Sequence, residues 1–116
     1  MIRKIKIELR LADIEALADY MRGAEKALTA EARRVPSGNR RGVLLHAQMA
    51  ALLWQKFYKK YGGALAKGKQ EDEPVKLTLT YPEAYFLEII LLMDGIPFER
   101  GYIGNELIAQ IDKQII

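Results

Sequence analysis

The chain has 116 residues, of which half are hydrophobic and 28% are charged, the balance of one globular domain and not of a disordered segment. It has no cysteine, which excludes disulfides and thiolate metal sites. The longest run without a charged residue, Gly42–Gln55, is shorter than the ~18 residues of a membrane span, and the charged N-terminal residues do not form a secretory signal. We therefore expect a single domain over residues 1–116, located in the cytoplasm and without membrane contact.

Two segments, Ile5–Leu11 and Val75–Tyr81, alternate strictly between apolar and polar residues. A period of two predicts a strand with one buried face and one solvent face. Each segment continues directly into apolar residues at helical spacing, so the chain contains a strand–helix plan twice. A lone strand leaves its backbone groups unpaired, so we expect the two strands to pair as an antiparallel ribbon.

Four helices are predicted. The first follows Leu11 and ends before the breaker cluster Val35–Gly42. The second runs from about Gly42 to Tyr61, where two glycines end it, and its apolar residues surround nearly its whole circumference, which is typical of a central, buried helix. Residues 62–74, polar and rich in glycine, are predicted to be a flexible connector.

The third helix begins at Thr80 and Glu83, which have capping-box spacing, and it too is expected to be buried. Asp94–Pro97 is predicted to stop it. A short fourth helix is predicted after a cap at Asn105, with four apolar residues on one face: Leu107, Ile108, Ile111 and Ile115. The fold class is therefore α+β and mostly helical, with a two-stranded antiparallel ribbon packed on about four helices in the order β-α-α-β-α-α. Because the outer edges of such a ribbon are open, we expect a homodimer with a continued sheet.

Charge is distributed unevenly along the chain. Residues 35–70 carry seven basic residues and no acidic residue, whereas residues 71–116 carry nine acidic and three basic residues. Such segregation indicates charged partners or neutralisation within the molecule.

Catalytic chemistry has little support. The chain has one histidine, His46, and one serine, Ser37, and no acid is marked to orient a serine–histidine pair. His46 shares a helical stripe with core residues, which favours a histidine at the core margin. One histidine with scattered acids does not supply a metal site, and no glycine-rich phosphate loop is present. We predict no catalytic, cofactor-binding or metal-binding residue and no small-molecule ligand.

Nucleic-acid binding has more support, because the solvent face of the ribbon is basic and a two-stranded ribbon fits the major groove. The Arg40–Arg41 loop leads into a helix N-terminus, a position suited to phosphate. The residues predicted to contact nucleic acid are Lys4, Lys6, Arg10, Lys76, Thr78, Arg40 and Arg41. The strand–helix–helix plan, with Gly104–Ile108 at the start of the last helix, resembles that of ribbon–helix–helix repressors, and this resemblance implies DNA binding by the ribbon face.

The function favoured by the sequence is a non-catalytic protein–protein interaction or self-association module whose partner is unknown. It requires no feature that the chain lacks, and it accounts for a substantial core without a reactive site. The alternative is a nucleic-acid-binding protein that uses the basic outer face of the ribbon.

Overall fold

The computed structural model describes residues 4–92 and 101–115, of which 101–103 and 115 are described by their backbone alone. Two strands and four helices follow in the predicted order: β1 Lys4–Arg10, α1 Leu11–Ala32, α2 Ser37–Ala66, β2 Pro74–Thr80, α3 Tyr81–Leu92 and α4 Gly101–Ile115. Across these two ranges, no helix has both the length and the hydropathy to cross a membrane.

The two strands form the predicted antiparallel ribbon, with the register running from Lys4 opposite Thr80 to Arg10 opposite Pro74. Burial alternates along both strands. The buried residues are Ile5, Ile7 and Leu9 of β1 and Val75, Leu77 and Leu79 of β2, and they join one hydrophobic core with the helices. The α+β architecture expected from the two alternating segments is therefore confirmed.

Helices α1 and α2 form an antiparallel hairpin, and their connection is shorter than predicted. The breaker cluster Val35–Gly42 is not a loop over its whole length. Helix α2 begins within it, at Ser37 directly after Pro36, five residues before the predicted start at Gly42. Proline fixes φ near the value needed to enter a helix, which suits this position. The Arg40 guanidinium Nε donates a hydrogen bond to the carbonyl oxygen of Ala32 at 3.0 Å and so satisfies an end group of α1.

The other end of α2 was also predicted wrongly. The helix continues through Gly62 and Gly63 to Ala66. Gly68, two residues after that end, has a φ of 86° and closes a Schellman motif in which the Lys69 amide donates to the Ala64 carbonyl at 3.0 Å. Two glycines lower the stability of a helix. The burial of Ala64, the next residue, offsets this cost, so the helix continues without a break.

The segment between α2 and β2 therefore covers only residues 67–73. Its backbone is fixed at the start of α1, because the amides of Leu11 and Ala12 donate to the carbonyl oxygens of Glu73 and Glu71, both at 3.0 Å. These carbonyls satisfy two of the amides that every helix N-terminus leaves unpaired.

Helix α2 is not the central buried helix that its composition predicted. Leu45 and Leu52 are 56% and 59% exposed. The buried residues of this 30-residue helix are limited to one stripe: Ala47, Ala50, Leu53, Phe57 and Ala64. The helix is about 45 Å long at 1.5 Å per residue, and the rest of the fold covers it from one side only.

Helix α3 begins with the predicted capping box. The Thr80 amide donates to Glu83 Oε1 at 2.7 Å, and the Glu83 amide donates to Thr80 Oγ1 at 3.3 Å. The expectation that α3 is wholly buried is wrong, because Tyr85 and Leu92 are 54% and 65% exposed. The predicted stop at Asp94–Pro97 lies outside the described residues.

Helix α4 begins at Gly101, four residues before the cap predicted at Asn105. Leu107 and Ile111 are fully buried, as the predicted apolar face requires, and Ile108 is partly buried. The side chain of Ile115 is outside the described part of the chain.

Candidate binding groove

The two outer edges of the ribbon differ in how their backbone groups are satisfied. On the β1 edge, the Lys6 amide donates to Gln114 Oε1 at 2.7 Å, and Gln114 Nε2 donates to the Lys6 carbonyl at 2.5 Å. Gln110 makes the same pair of bonds with Glu8, at 2.8 and 3.1 Å. Each glutamine amide thus replaces a peptide group of a third strand. The continued sheet expected of a homodimer cannot use the β1 edge while α4 is in place.

The spacing of the two glutamines explains why this closure fits. Residues four apart on a helix are separated by about 6 Å along its axis, and residues two apart on a strand by about 6.6–6.8 Å. Gln110 can therefore bind Glu8 while Gln114 binds Lys6, with α4 running antiparallel to β1.

The β2 edge is open in its centre. Lys6 lies opposite Thr78, and Glu8 lies opposite Lys76. Because the amides and carbonyls of Lys6 and Glu8 point away from β2, those of Thr78 and Lys76 point away from β1. In the described residues, the outward amides and carbonyls of Lys76 and Thr78 have no hydrogen-bond partner within the chain.

The two ends of the β2 edge, in contrast, are occupied. The Thr80 amide is bound by Glu83 Oε1, and the Pro74 carbonyl accepts a bond from Lys69 Nζ at 3.5 Å. The open part of the edge therefore consists of two residues, Lys76 and Thr78. Each of them offers one outward amide donor and one outward carbonyl acceptor.

A groove of about 550 Å³ lies between this open edge and the C-terminal half of α2. Its volume is within the ~300–1,000 Å³ range of ligand clefts. Six lysines and a few small or apolar residues line it: Lys56, Lys59, Lys60, Lys67, Lys69 and Lys76 with Gly63, Ala64, Val75, Leu77 and Thr78.

Five of these lysines form a row along the C-terminal end of α2 and the residues just after it: Lys56, Lys59, Lys60, Lys67 and Lys69. This lysine row runs antiparallel to β2. At one end, Lys56 Nζ is 2.9 Å from the same Glu83 oxygen that accepts the Thr80 amide. At the other end, Lys69 reaches the Pro74 carbonyl. From Lys56 to Lys67 the helix rises about 16 Å, close to the roughly 20 Å length of β2.

Only the ends of the lysine row are neutralised. Lys56 pairs with Glu83, and Lys69 pairs with Glu73 at 3.7 Å. Burial alone would raise the pKa of Glu83, but hydrogen bonds from the Thr80 amide and from Lys56 lower that pKa below its usual value. Of the cations between the two ends, Lys59, Lys60 and Lys67 are exposed and form no ion pair within the described residues. The acidic third of the chain thus neutralises the basic third only in part.

The seven residues predicted to contact nucleic acid are divided by the structure. Five lie exposed on the outer face of the ribbon: Lys4, Lys6, Arg10, Lys76 and Thr78. Arg40 and Arg41 lie in the first turns of α2, and Arg41 is about 28 Å from Lys60 along the helix, so they do not join that face. Arg40 instead bonds the end of α1.

Of the groove lysines, only Lys76 was selected from the sequence, and those of α2 were not. Lys59 and Lys60 were interpreted as the charged end of α2, because Gly62 and Gly63 were predicted to terminate it. Once the helix continues to Ala66, Lys56, Lys60 and Lys67 fall at spacings of four and seven residues, which is one face of a helix. That spacing was the available signal.

The aromatic residues of α2 belong to the helix hairpin and do not line the groove. Trp54 Nε1 donates to Glu25 at 2.7 Å, and the Tyr58 hydroxyl donates to Asp19, a hydrogen bond that raises the pKa of Tyr58. The Tyr61 hydroxyl donates a hydrogen bond to Glu71 in the 67–73 segment at 3.1 Å. The carboxylates of Glu15 and Glu71, together with partial desolvation, raise the pKa of Tyr61 to about 12. The polar atoms of these rings therefore bind α1 and the 67–73 segment, away from the groove.

No catalytic pair is formed by the two residues considered from the sequence. Ser37 and His46 lie on the same helix about 13 Å apart along its axis. His46 is more exposed than a core histidine, but its ring lies 5.7 Å from that of buried Phe86, at the margin of the core. Within residues 4–92 and 101–115, no group of three or more potential ligands could hold a metal ion.

One carboxyl group has a strongly shifted pKa, but it lies away from the groove. Partial burial at the α3–α4 contact, together with a hydrogen bond to Asp112 and the charge of that residue, raises the pKa of Glu88 to about 7. Glu88 is not among the groove residues, so its shift describes helix packing and not a reactive site.

No family model, curated protein or solved structure matches this chain.

Proposed function

We propose that this protein is a non-catalytic interaction module that binds negatively charged segments of partner proteins in the groove between α2 and β2. The observation that carries this proposal is the row of lysines that runs along an open strand edge. Lys59, Lys60 and Lys67 form no ion pair within the described residues, so an acidic segment gains favourable contacts there without breaking an existing pair.

The chemistry of the groove favours a polypeptide. Between the lysines, the walls are formed by Ala64, Val75 and Leu77 together with free amides and carbonyls. Phosphates offer no donors for the free carbonyls, and none of the described residues that line the groove has an aromatic ring on which bases could stack. A peptide backbone offers both donors and acceptors.

The test is a fluorescence-anisotropy titration with a labelled, glutamate-rich peptide at low salt. Replacing Lys59, Lys60 and Lys67 together by glutamine should weaken binding roughly 3- to 100-fold, because each exposed ion pair contributes about 0.2–1 kcal/mol. The matched control replaces Lys26, Arg34 and Lys113, which lie outside the groove, and removes the same total charge. Equal losses from both triple variants would reduce the effect to net charge and refute a specific groove.

Nucleic-acid binding is the second candidate, because Lys4, Lys6 and Arg10 share the outer ribbon face with Lys76, which also borders the groove. Phosphates would bind such a face with a steep salt dependence. Replacing Lys4, Lys6 and Lys76 together tests it by gel shift with random duplex DNA. Tight, salt-dependent DNA binding that this triple variant loses, with no binding of acidic peptide, would favour this candidate over the first.

The homodimer expected from the sequence is proposed at a different surface. Four large side chains of α3 lie on one exposed face: Tyr81, Tyr85, Ile89 and Leu92. None is charged, and the rings of Tyr81 and Tyr85 stack with centroids 6.4 Å apart, so two copies can pack this face in an isologous contact. Light scattering over a concentration series tests the dimer, and replacement of Ile89 by glutamate should dissociate it. A monomer at every concentration would remove it.

A further inference from the structure

We propose that the groove receives its partner as a third strand, an extended acidic segment that pairs with β2 through the backbone of Lys76 and Thr78. The inference rests on the proposed function and specifies how the partner is held. Its basis is the difference between the two ribbon edges. One is closed by glutamine amides, and the other presents unused backbone groups beside a groove.

The open edge has the hydrogen-bonding pattern that a strand requires. Lys76 and Thr78 each direct one amide and one carbonyl outward, about 6.8 Å apart along β2. A strand laid antiparallel can exchange both bonds with each of them, as Gln110 and Gln114 do on the opposite edge. The occupied groups at Pro74 and Thr80 limit the pairing to the centre of β2.

Strand geometry also predicts which partner residues must be acidic. Residues directly opposite Lys76 and Thr78 have their side chains on the outer face, and the residues between them have theirs on the inner face, toward α2. The inner side chains meet Lys59, Lys60 and Lys67. We therefore expect aspartate or glutamate at alternate positions. The backbone amides of these acidic partner residues point away from β2.

Charge argues against a second copy of this chain as the occupant. A two-fold contact between two β2 edges would bring Lys76 and the α2 lysines of both copies together, and like charges at close range oppose such pairing. An acidic segment converts the same lysines into favourable contacts.

The experiment uses the full chain and three capped, fluorescent peptides of seven residues, the length of β2. The parent peptide alternates threonine and glutamate and begins and ends with threonine. In the second peptide, the internal threonines are N-methylated, which removes the amides that should face β2. In the third, the glutamates are N-methylated instead, which removes amides that should face away. All three carry the same charge.

The expected result is a loss of about tenfold or more in affinity for the threonine-methylated peptide, because two backbone hydrogen bonds are lost. The glutamate-methylated peptide should bind within about threefold of the parent, because none of its contacts with the edge is removed. Equal affinities for the two methylated peptides would overturn strand addition and leave the acidic-segment function standing. No binding of any peptide would overturn both.

A protein variant provides an independent test. Thr78→Pro removes one outward amide and leaves the β1–β2 ladder bonds, because proline is compatible with an edge position whose amide is unpaired. It should weaken the parent peptide about fivefold or more, with a circular dichroism spectrum like that of the original protein. A folded variant with unchanged affinity would exclude this amide as a contact and refute the pairing.

Discussion

Replacing Gln114 by glutamate tests the closure of the β1 edge with the smallest possible change. Glutamate has the shape of glutamine but lacks the Nε2 donor, so the Lys6 carbonyl, which accepts that donor at 2.5 Å, would face a carboxylate oxygen instead. The Lys6 amide keeps an acceptor. The same Nε2 also donates to the Gln110 carbonyl at 3.0 Å, so the variant removes two hydrogen bonds and places a repulsion at the strand edge.

An acceptor left without its donor costs about 1–3 kcal/mol, and the nearby negative charge adds to this, so we expect a loss of about 2 kcal/mol in the free energy of unfolding at neutral pH. That corresponds to about 6–10 °C in Tm for a domain of this size. The folded variant binds the proton more tightly than the unfolded chain, because the protonated carboxyl is again a donor. Its deficit should therefore shrink as pH falls to about 4.

Urea unfolding followed by circular dichroism, at about pH 4 and at neutral pH, measures both effects. Gln48→Glu is the control, because Gln48 is exposed on α2 and this substitution adds the same charge away from the ribbon. If Gln114→Glu is no less stable than this control at neutral pH, the glutamine amide does not close the strand edge.

Three further predictions concern the helices. Leu53→Ala should cost about 2–5 kcal/mol and Leu52→Ala less than about 0.5 kcal/mol in urea unfolding, because the two neighbours are 1% and 59% exposed; similar losses would contradict the position of α2. Glu88→Gln should raise stability on the order of 1–2 kcal/mol above pH 7, since the folded state holds a proton there that the unfolded carboxyl releases from pH 4.5 upward. The gain should vanish toward pH 4.5, and a pH-independent difference would refute the shared proton with Asp112. Gly62→Ala should raise Tm through about 0.5–1 kcal/mol of helix propensity, because nothing lies within 4 Å of the added methyl, and a lower Tm would show that α2 does not continue through this position.

The ribbon could be predicted from the sequence because its signal is local and unambiguous. Seven residues of strict alternation in each strand identify both the conformation and the buried face, and burial follows that pattern along β1 and β2. The capping box of Thr80 and Glu83 was equally local and is confirmed.

The errors arose where tertiary contacts outweigh local preference. Gly62 and Gly63 read as a helix end, but buried Ala64 and the Schellman motif at Gly68 extend α2 by five residues. Apolar composition placed α2 in the centre of the molecule, yet Leu45 and Leu52 are more than half exposed. Composition counts apolar residues but does not tell how many neighbours a helix has.

The candidate site depended on a long-range pairing that periodicity does not reveal. Gln110 and Gln114 looked like ordinary polar positions of a helix, and their role appears only when β1 lies beside them. The same holds for Lys60 and Lys67, which become one side of a groove only because β2 returns along α2.

The glutamine pair on α4 also limits the direction in which the sheet can grow. A sheet with two available sides can add chain after chain without end, which is how fibres grow. Here the Gln110 and Gln114 amides cap one side, so this sheet can add strands only on the β2 side. Elongation of the ribbon is therefore one-directional, whichever segment is added.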